Sequence, residues 1–202
     1  MPQPVTDEKS GELLPQIRST ALVALGSNLP VGGVDATETV AAAAETIGRE
    51  LGLIRSMSRL FRTPAFPAGS GPDFVNAALV LDTDLPPADL LSGLHRIESD
   101  FGRVRRERWA ARALDLDLLA YDDLVLPDAE THRKWVELPL DQQMQLAPDE
   151  MILPHPRLAE RAFVLVPLAD AAPNWQHPIT GLTVSQMLNT LPQESISEVV
   201  AL

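Results

Sequence analysis

Cysteine is absent from this chain of 202 residues, which excludes disulfide bonds and thiolate metal sites. No stretch approaches the roughly 18–20 consecutive apolar residues that a membrane-spanning helix needs. The start of the chain has no basic segment followed by an apolar core, so it does not have the pattern of a signal peptide. Together these absences favour a soluble cytoplasmic protein with no membrane partner.

Positive charge is also scarce. The chain has 16 lysines and arginines against 28 aspartates and glutamates, for a net charge of −12. A general nucleic-acid binder needs a broad basic surface, so this balance argues against that class. A hydrophobic content of 45% with 22% charged residues is typical of a globular protein, and the length fits one domain with a sizeable core.

The most informative stretch runs from Gly102 to Leu119, where a cluster of arginines precedes two aspartates that alternate with leucines. Alternation with a period of two is typical of a half-buried strand. Asp115 and Asp117 would therefore point from the same face, roughly 6.5–7 Å apart at their Cα atoms. The leucines between and around them would pack into the core. The arginines of the cluster are Arg103, Arg105, Arg106, Arg108 and Arg112.

Two carboxylates on one strand face repel each other unless a cation lies between them. Their hard oxygen atoms suit Mg²⁺, which usually takes one or two protein carboxylates and completes its shell with water and phosphate. Arginine guanidinium groups match phosphate oxygens. The stretch therefore indicates a polyphosphate site, and the alternative from these residues alone is a solvated strand face beside a basic surface patch.

Hydrophobic periodicity and turn residues predict the order strand, helix, strand, strand, helix, strand. Asp35 is expected to cap the first helix, and Pro86 and Pro87 are expected to open the second. The predicted strands are 20–25, 54–62, 74–81 and 113–121, and the predicted helices are 35–50 and 88–101. This order is that of an α+β, ferredoxin-like βαββαβ sandwich with a mostly antiparallel sheet and C-terminal additions. Gly26-Ser27-Asn28 is expected to be a turn at the floor of a pocket.

The rest of the chain defines the expected boundaries. Residues 1–19 are polar and aperiodic and are expected to be a flexible leader. Residues 20–192 are expected to form a single domain, with further helices near 158–169 and 184–191. The segment 129–150 mixes charge, proline and glutamine and is expected to be an insertion, and 193–202 a polar tail.

Several short motifs occur in a defined order along the chain: Ala24-Leu-Gly-Ser-Asn-Leu, Phe61-Arg-Thr-Pro, Asp73-Phe-Val-Asn-Ala-Ala, Arg96-Ile-Glu, Gly102-Arg-Val-Arg, Glu107-Arg-Trp, Arg112-Ala-Leu-Asp-Leu-Asp, Leu153-Pro-His-Pro-Arg and Arg161-Ala-Phe-Val-Leu. This ordered set resembles the 6-hydroxymethyl-7,8-dihydropterin pyrophosphokinase family. The resemblance implies transfer of a diphosphate from ATP to the pterin hydroxymethyl group, giving AMP, in folate synthesis. It also implies two Mg²⁺ ions and ATP as co-substrate.

The resemblance also implies roles for particular residues. The catalytic set would be Arg103, Arg112, Asp115 and Asp117, of which Asp115 and Asp117 would hold the metal ions. Nucleotide contacts would come from His95, Glu98, Arg103, Arg105, Arg108, Trp109, Arg112, Leu118, His155 and Arg161. The pterin would contact Thr63, Pro64, Phe66, Phe74, Asn76, Trp109 and Phe163.

We expect a monomer whose partners are these two small molecules, with no obligate protein partner. Within enzymes, the alternative is another Mg²⁺–nucleotide phosphotransferase or hydrolase on the same sandwich. From a different class, the alternative is a non-catalytic domain that binds nucleotide or a protein partner through the inserted segment. The acid pair, the arginines and the pterin-site residues favour catalysis.

Overall fold

The computed structural model describes residues 18–30, 33–65, 71–102, 113–139, 142 and 146–202. Its strands are β1 (Ser19–Ser27), β2 (Leu53–Met57), β3 (Phe61–Thr63), β4 (Phe74–Thr83), β5 (Asp115–Tyr121) and β6 (Val200–Ala201). Its helices are α1 (Ala36–Glu50), α2 (Pro87–Asp100), α3 (Ala129–Val136), α4 (Ala162–Ala171), α5 (Val184–Leu188) and α6 (Gln193–Ser197), with a 3₁₀ turn at Leu158–Glu160.

The strands of the described chain form one sheet in the order β5-β1-β4-β3-β6, and β2 pairs with β4 beside β3. The pairings between these strands are antiparallel. The strand order is that of the βαββαβ sandwich once β2 and β3 are counted as its second strand. The predicted α+β class with a mostly antiparallel sheet is confirmed.

Two layers of helices cover the sheet. On one face, leucines of β5 pack with buried residues of α1 and α2, including Ile47, Leu94 and Ile97. On the other face, Leu22 and Ala78 pack against α4 and α5. The C-terminal helices therefore cover part of a face that the βαββαβ unit alone would leave open. Among the described residues, no helix combines the length and apolar character needed to cross a bilayer.

The first two helices begin where local sequence signals predict. Asp35 accepts a hydrogen bond from the Glu38 N–H at 2.9 Å and caps α1. Pro87 is the first residue of α2, a position where its missing N–H has no cost. Both starts confirm the sequence prediction because the signals lie within one helical turn.

The predicted strand 54–62 is divided into β2 and β3 by Ser58. The Ser58 N–H donates to the Ala78 carbonyl, and the Ser58 hydroxyl accepts from the Ala78 N–H, each at 2.9 Å. The Ser58 hydroxyl thus takes the place of a backbone carbonyl as the acceptor for the Ala78 N–H of β4, and the chain can change direction between β2 and β3. This contact links positions 20 residues apart, so no local pattern announces it.

Residues 193–202, predicted to be a polar tail, contain α6 and β6. β6 pairs with β3 through Phe61–Ala201 and Arg62–Val200, and the Leu202 N–H donates to the Leu60 carbonyl. The outer edge of β3 is therefore covered by another strand. Within 129–150, the segment predicted to be an insertion, α3 begins at Ala129 after the cap Asp128.

Candidate active site

The carboxylate pair lies on β5, beside β1 in the sheet. Asp115 and Asp117 are partly exposed, whereas Leu114, Leu116 and Leu118 are buried in the core between the sheet and α1 and α2. The predicted alternation is therefore confirmed, and both aspartates belong to the face of the sheet that α4 partly covers. Among the described residues, no cluster of three or more histidine, aspartate or glutamate side chains is placed to hold a metal ion.

A β-bulge follows the aspartates. Val23 pairs with Leu118 and Leu22 pairs with Ala120, so Leu119 is an extra residue on β5. The Leu119 carbonyl accepts a hydrogen bond from the His155 N–H at 2.7 Å. The bulge thereby fixes the backbone of His155 to the strand that carries the aspartates.

The strand register places the aspartates and the predicted pterin residues on one surface. Asp115 is opposite Gly26, and Gly26 is opposite Asn76 on the other side of β1. Directly opposed residues of antiparallel strands share a face. Two strand spacings separate Asp115 from Asn76, or about 10 Å at the Cα atoms. The next row is Asp117, Ala24 and Ala78.

The residues between these two groups are small. A Cβ atom at Gly26 would lie 3.0 Å from the Asn76 Oδ1 atom, so only glycine leaves this amide undisturbed. Gly26 and Ser27 are the last two residues of β1 rather than part of a turn, which corrects the sequence prediction. Gly26 is therefore the residue that separates the carboxylate of Asp115 from the amide of Asn76 in this row.

Asn76 and Thr63 are joined by a hydrogen bond. The Asn76 Nδ2 group donates to Thr63 Oγ1 at 2.7 Å, and both residues are buried. The bond fixes the orientation of the amide, which leaves Oδ1 on the side of Gly26. The structure therefore brings together two of the residues predicted to contact the pterin.

Glu98 lies on α2 with 0% of its surface exposed. Its Oε1 atom accepts a hydrogen bond from the Leu116 N–H at 2.8 Å, and Leu116 is the residue between the two aspartates. This contact holds the backbone of the acid pair in place. The nucleotide contact predicted for Glu98 stays a prediction, as does the one for His95, one turn earlier on α2.

His155 has a defined hydrogen-bonding pattern. Its Nδ1 atom accepts from the Arg157 N–H at 3.1 Å. In a neutral ring the hydrogen must then be on Nε2. Burial, together with the positive charges of Arg161 and Arg157, lowers the pKa of His155 to about 3, against an opposing effect of Asp115. His155 is therefore a neutral donor through Nε2 at pH 7.

Arg161 lies at the start of α4, near the same carboxylates. Burial lowers the pKa of its guanidinium, and the charges of Asp117 and Asp115 oppose that shift. The guanidinium lies 5.7 Å from the centre of the Phe163 ring, which is 42% exposed. A partly buried cation that interacts with these carboxylates and lies near an exposed ring is suited to an anionic, partly aromatic ligand.

The remaining predicted contacts are less constrained by the structure. Phe74 is partly buried at the start of β4, and Pro64 is exposed just after β3. The Leu118 side chain is buried in the core, so the predicted contact with adenine would involve its backbone. Six predicted site residues lie outside the described part of the chain: Phe66, Arg103, Arg105, Arg108, Trp109 and Arg112.

Sequence analysis did not predict three features of this face. Ala24 and Ala78 share the row of Asp117 on this face, and a small residue in a strand gives no distinctive signal. Arg157 lies in the Leu153-Pro-His-Pro-Arg motif, but nothing in that motif indicates that its guanidinium donates hydrogen bonds to the carbonyls of Trp135 and Val136. The bulge at Leu119 was also missed, because the apolar run 118–120 fits either phase of the strand.

The fold and this face define an α+β sandwich protein that carries two partly exposed carboxylates and a hydrogen-bonded amide on one face of its sheet. The chain belongs to the 7,8-dihydro-6-hydroxymethylpterin-pyrophosphokinase (HPPK) family, whose model matches residues 22–173. The family resemblance seen in the ordered motifs is thereby confirmed.

Individual relatives agree with this assignment. The chain is 34% identical over 174 residues to a 2-amino-4-hydroxy-6-hydroxymethyldihydropteridine pyrophosphokinase of Synechocystis, covering 86% of this chain and 77% of the relative. A Pseudomonas aeruginosa protein of the same name is 37% identical over 176 residues, covering 86% of this chain and 93% of that protein. Wild-type HPPK-DHPS of Plasmodium falciparum has a similar fold, with a TM-score of 0.60 at 16% identity. That likeness covers 86% of this chain and 44% of the larger Plasmodium chain.

Proposed function

We propose that this chain transfers a diphosphate from ATP to the hydroxymethyl oxygen of 6-hydroxymethyl-7,8-dihydropterin, a step of tetrahydrofolate synthesis. Membership of the family supports the activity. The observation that carries the residue assignment is the row Asp115–Gly26–Asn76. It sets a carboxylate suited to a metal–polyphosphate and an amide suited to a heterocycle about 10 Å apart on one face of the sheet.

The carboxylates fit a hard divalent cation, because they are partly exposed oxygen donors on one strand face. Asp115 and Asp117 would hold Mg²⁺, and we propose two ions. When bound, the metal would neutralise phosphate charge and orient the polyphosphate. Glu98 would keep the two aspartates in register through its bond to Leu116.

His155 and Arg161, whose side chains interact electrostatically with the aspartates, would bind the nucleotide. His155 would donate from Nε2 to a phosphate oxygen, since its Nδ1 already accepts from Arg157. Arg161 would add positive charge next to the same phosphates. The arginines at 103 and 112 complete the proposed phosphate contacts, and they lie outside the described residues.

Asn76 would bind the pterin by its amide, whose orientation the Thr63 hydroxyl sets. A flat heterocycle needs a few fixed donors and acceptors and an aromatic surface, which Phe74 and Phe163 would supply. In the reaction, a bond forms between the pterin hydroxymethyl oxygen and the β-phosphorus. The bond from that phosphorus to the oxygen bridging to the α-phosphate breaks, AMP leaves, and one proton is released.

The test is AMP formation from ATP and 6-hydroxymethyl-7,8-dihydropterin with Mg²⁺. We expect AMP only when the pterin is present. Asp117→Asn should lower the rate by about 10²–10³-fold, the usual effect of removing one transition-state contact. Asp123→Asn is the matched control, because Asp123 is exposed beyond the other end of β5.

Other outcomes would favour the alternatives. Release of ADP or AMP without pterin would indicate a nucleotide hydrolase on the same sandwich. ATP binding without any AMP formation would indicate a non-catalytic nucleotide-binding domain. We also propose a cytoplasmic monomer, and sedimentation of the purified chain with and without both substrates tests the oligomeric state.

A further inference from the structure

The inserted helix α3 is attached to the segment that carries His155. Arg157 is 6% exposed, and its guanidinium donates to the carbonyls of Val136 at 3.0 Å and Trp135 at 2.9 Å. These are carbonyls of the last turn of α3, which have no partner within the helix and carry partial negative charge. The guanidinium therefore caps the C-terminus of the helix.

A second contact joins α3 to this segment, and an ion pair outside α3 holds the Arg157 side chain. The Nε2 atom of His132 on α3 lies 2.9 Å from the Pro154 carbonyl, and since a carbonyl only accepts, His132 is the donor. Glu160 forms an ion pair with Arg157, at 3.3 Å. A buried guanidinium is costly unless its donors are satisfied, so these partners make one orientation of Arg157 strongly preferred.

The backbone of Arg157 contacts the predicted phosphate donor. Its N–H donates to His155 Nδ1, while the N–H of His155 donates to the Leu119 carbonyl of the bulge. The turn 155–157 is thus held by β5 on one side and by α3 on the other. Moving the Arg157 backbone would break the bond that selects the Nε2–H form of the His155 ring.

We propose that Arg157 is a positioning residue, which uses α3 as its anchor to hold His155 with Nε2–H directed at the nucleotide phosphates. The inserted segment then has a role: it makes the His155 turn rigid before the nucleotide binds. The part concerning phosphates depends on the proposed function. The part concerning the His155 ring does not.

The first test is the tautomer of His155, read from long-range ¹H–¹⁵N spectra of the imidazoles without any substrate. The chain has 4 histidines, and the His155→Gln variant identifies the signal of interest. We expect Nε2–H in the wild type and a mixture of both forms in Arg157→Met, which keeps the backbone N–H but cannot bond to α3. Nδ1–H in the wild type would overturn the proposal without reference to any variant.

The second test is calorimetric binding of a non-hydrolysable ATP analogue with Mg²⁺. Misalignment of one charge-assisted hydrogen bond should weaken binding by about tenfold in Arg157→Met. Pterin affinity should stay within about twofold, because loss of that bond leaves the Asn76 side of the face intact. Arg55→Met is the matched control, since Arg55 pairs with Asp82 on β4, away from the His155 turn, and its loss should change neither affinity.

Arg157→Lys guards against a variant that does not fold. Lysine keeps the charge and can donate to the same carbonyls, so it should restore most of the analogue affinity and the Nε2–H form. A lower melting temperature with unchanged tautomer and affinity would make Arg157 purely structural and refute the proposal. If the wild type makes no AMP while the tautomer still changes in Arg157→Met, the proposed function fails and the positioning role stands.

Discussion

Replacing Thr63 by valine should destabilise the protein through Asn76. Valine has the shape of threonine but no hydroxyl, so the Asn76 Nδ2 group loses the acceptor that it contacts at 2.7 Å. Both side chains are buried, so water cannot easily replace the lost partner. A buried donor left unsatisfied costs about 1–3 kcal/mol. If the loss is about 2 kcal/mol of the free energy of unfolding, the melting temperature of a chain of this size should fall by roughly 4–8 °C.

The assay is urea unfolding at pH 7, combined with KM for the pterin and for ATP. Thr63→Val should lower the free energy of unfolding and raise KM for the pterin by about tenfold, because the amide can rotate away from its fixed orientation. KM for ATP should change little. Thr63→Ser keeps the oxygen acceptor and should recover most of both losses.

Thr46→Val is the matched control for the same chemical change. The Thr46 hydroxyl donates to the Ala42 carbonyl within α1, where that carbonyl also serves the helix ladder, so its loss should cost less than about 0.5 kcal/mol. If Thr63→Val unfolds like the wild type and binds pterin normally, the amide does not depend on the hydroxyl. The argument from buried hydrogen bonding would then be refuted at this site.

Three further variants test other parts of the structure. Burial lowers the pKa of His177 to about 4, below the value of 6.5 in an unfolded chain. The unfolded chain therefore binds a proton at His177 before the folded chain does, so the free energy of unfolding is unaffected by this group above pH 6.5 and falls as the pH drops towards 4. Urea unfolding should therefore show the wild type losing about 2 kcal/mol more than His177→Asn between pH 7 and pH 5, and equal losses would contradict the assignment. Gly93→Ala would place a Cβ atom 2.5 Å from Leu51 Cδ2, so overpacking should outweigh the gain in helix propensity by about 1 kcal/mol, and a more stable variant in the same assay would show that Leu51 moves freely. Gly26→Ala should displace the Asn76 amide and raise KM for the pterin without raising KM for ATP, and an equal rise in both would place Gly26 outside the pterin half of the face.

Features that depend on neighbouring residues in the chain were predictable. The cap at Asp35, the helix start at Pro87 and the alternation around Asp115 and Asp117 each lie within a few residues, where local geometry decides the outcome. The order of strands and helices, read from hydrophobic periodicity and turn residues, gave the fold class, and the ordered short motifs gave the family resemblance and the activity. These parts of the prediction needed no tertiary information.

Features that depend on distant contacts were not predictable from pattern. Ser58 divides a strand because it meets Ala78, and its own neighbourhood looks like an uninterrupted strand. Arg157 is one of several arginines, and only the structure reveals that it caps α3. The roles of Arg103 and Arg112 stay predictions, since both lie outside the described residues.

The bulge at Leu119 has a consequence for how β5 can change in evolution. Before the extra residue, Leu116 and Leu118 face α1 and α2, and after it the phase shifts so that Tyr121 returns to the same side, where its hydroxyl donates to the Leu85 carbonyl. Deleting one residue there would reverse the faces of the residues on one side of the bulge. Either the aspartates would then point into the core, or Tyr121 would point away from it. The deletion would also remove the carbonyl that holds His155. An insertion or deletion in β5 should therefore be tolerated far less well than substitutions among its apolar side chains, because several such substitutions together can keep the core volume unchanged.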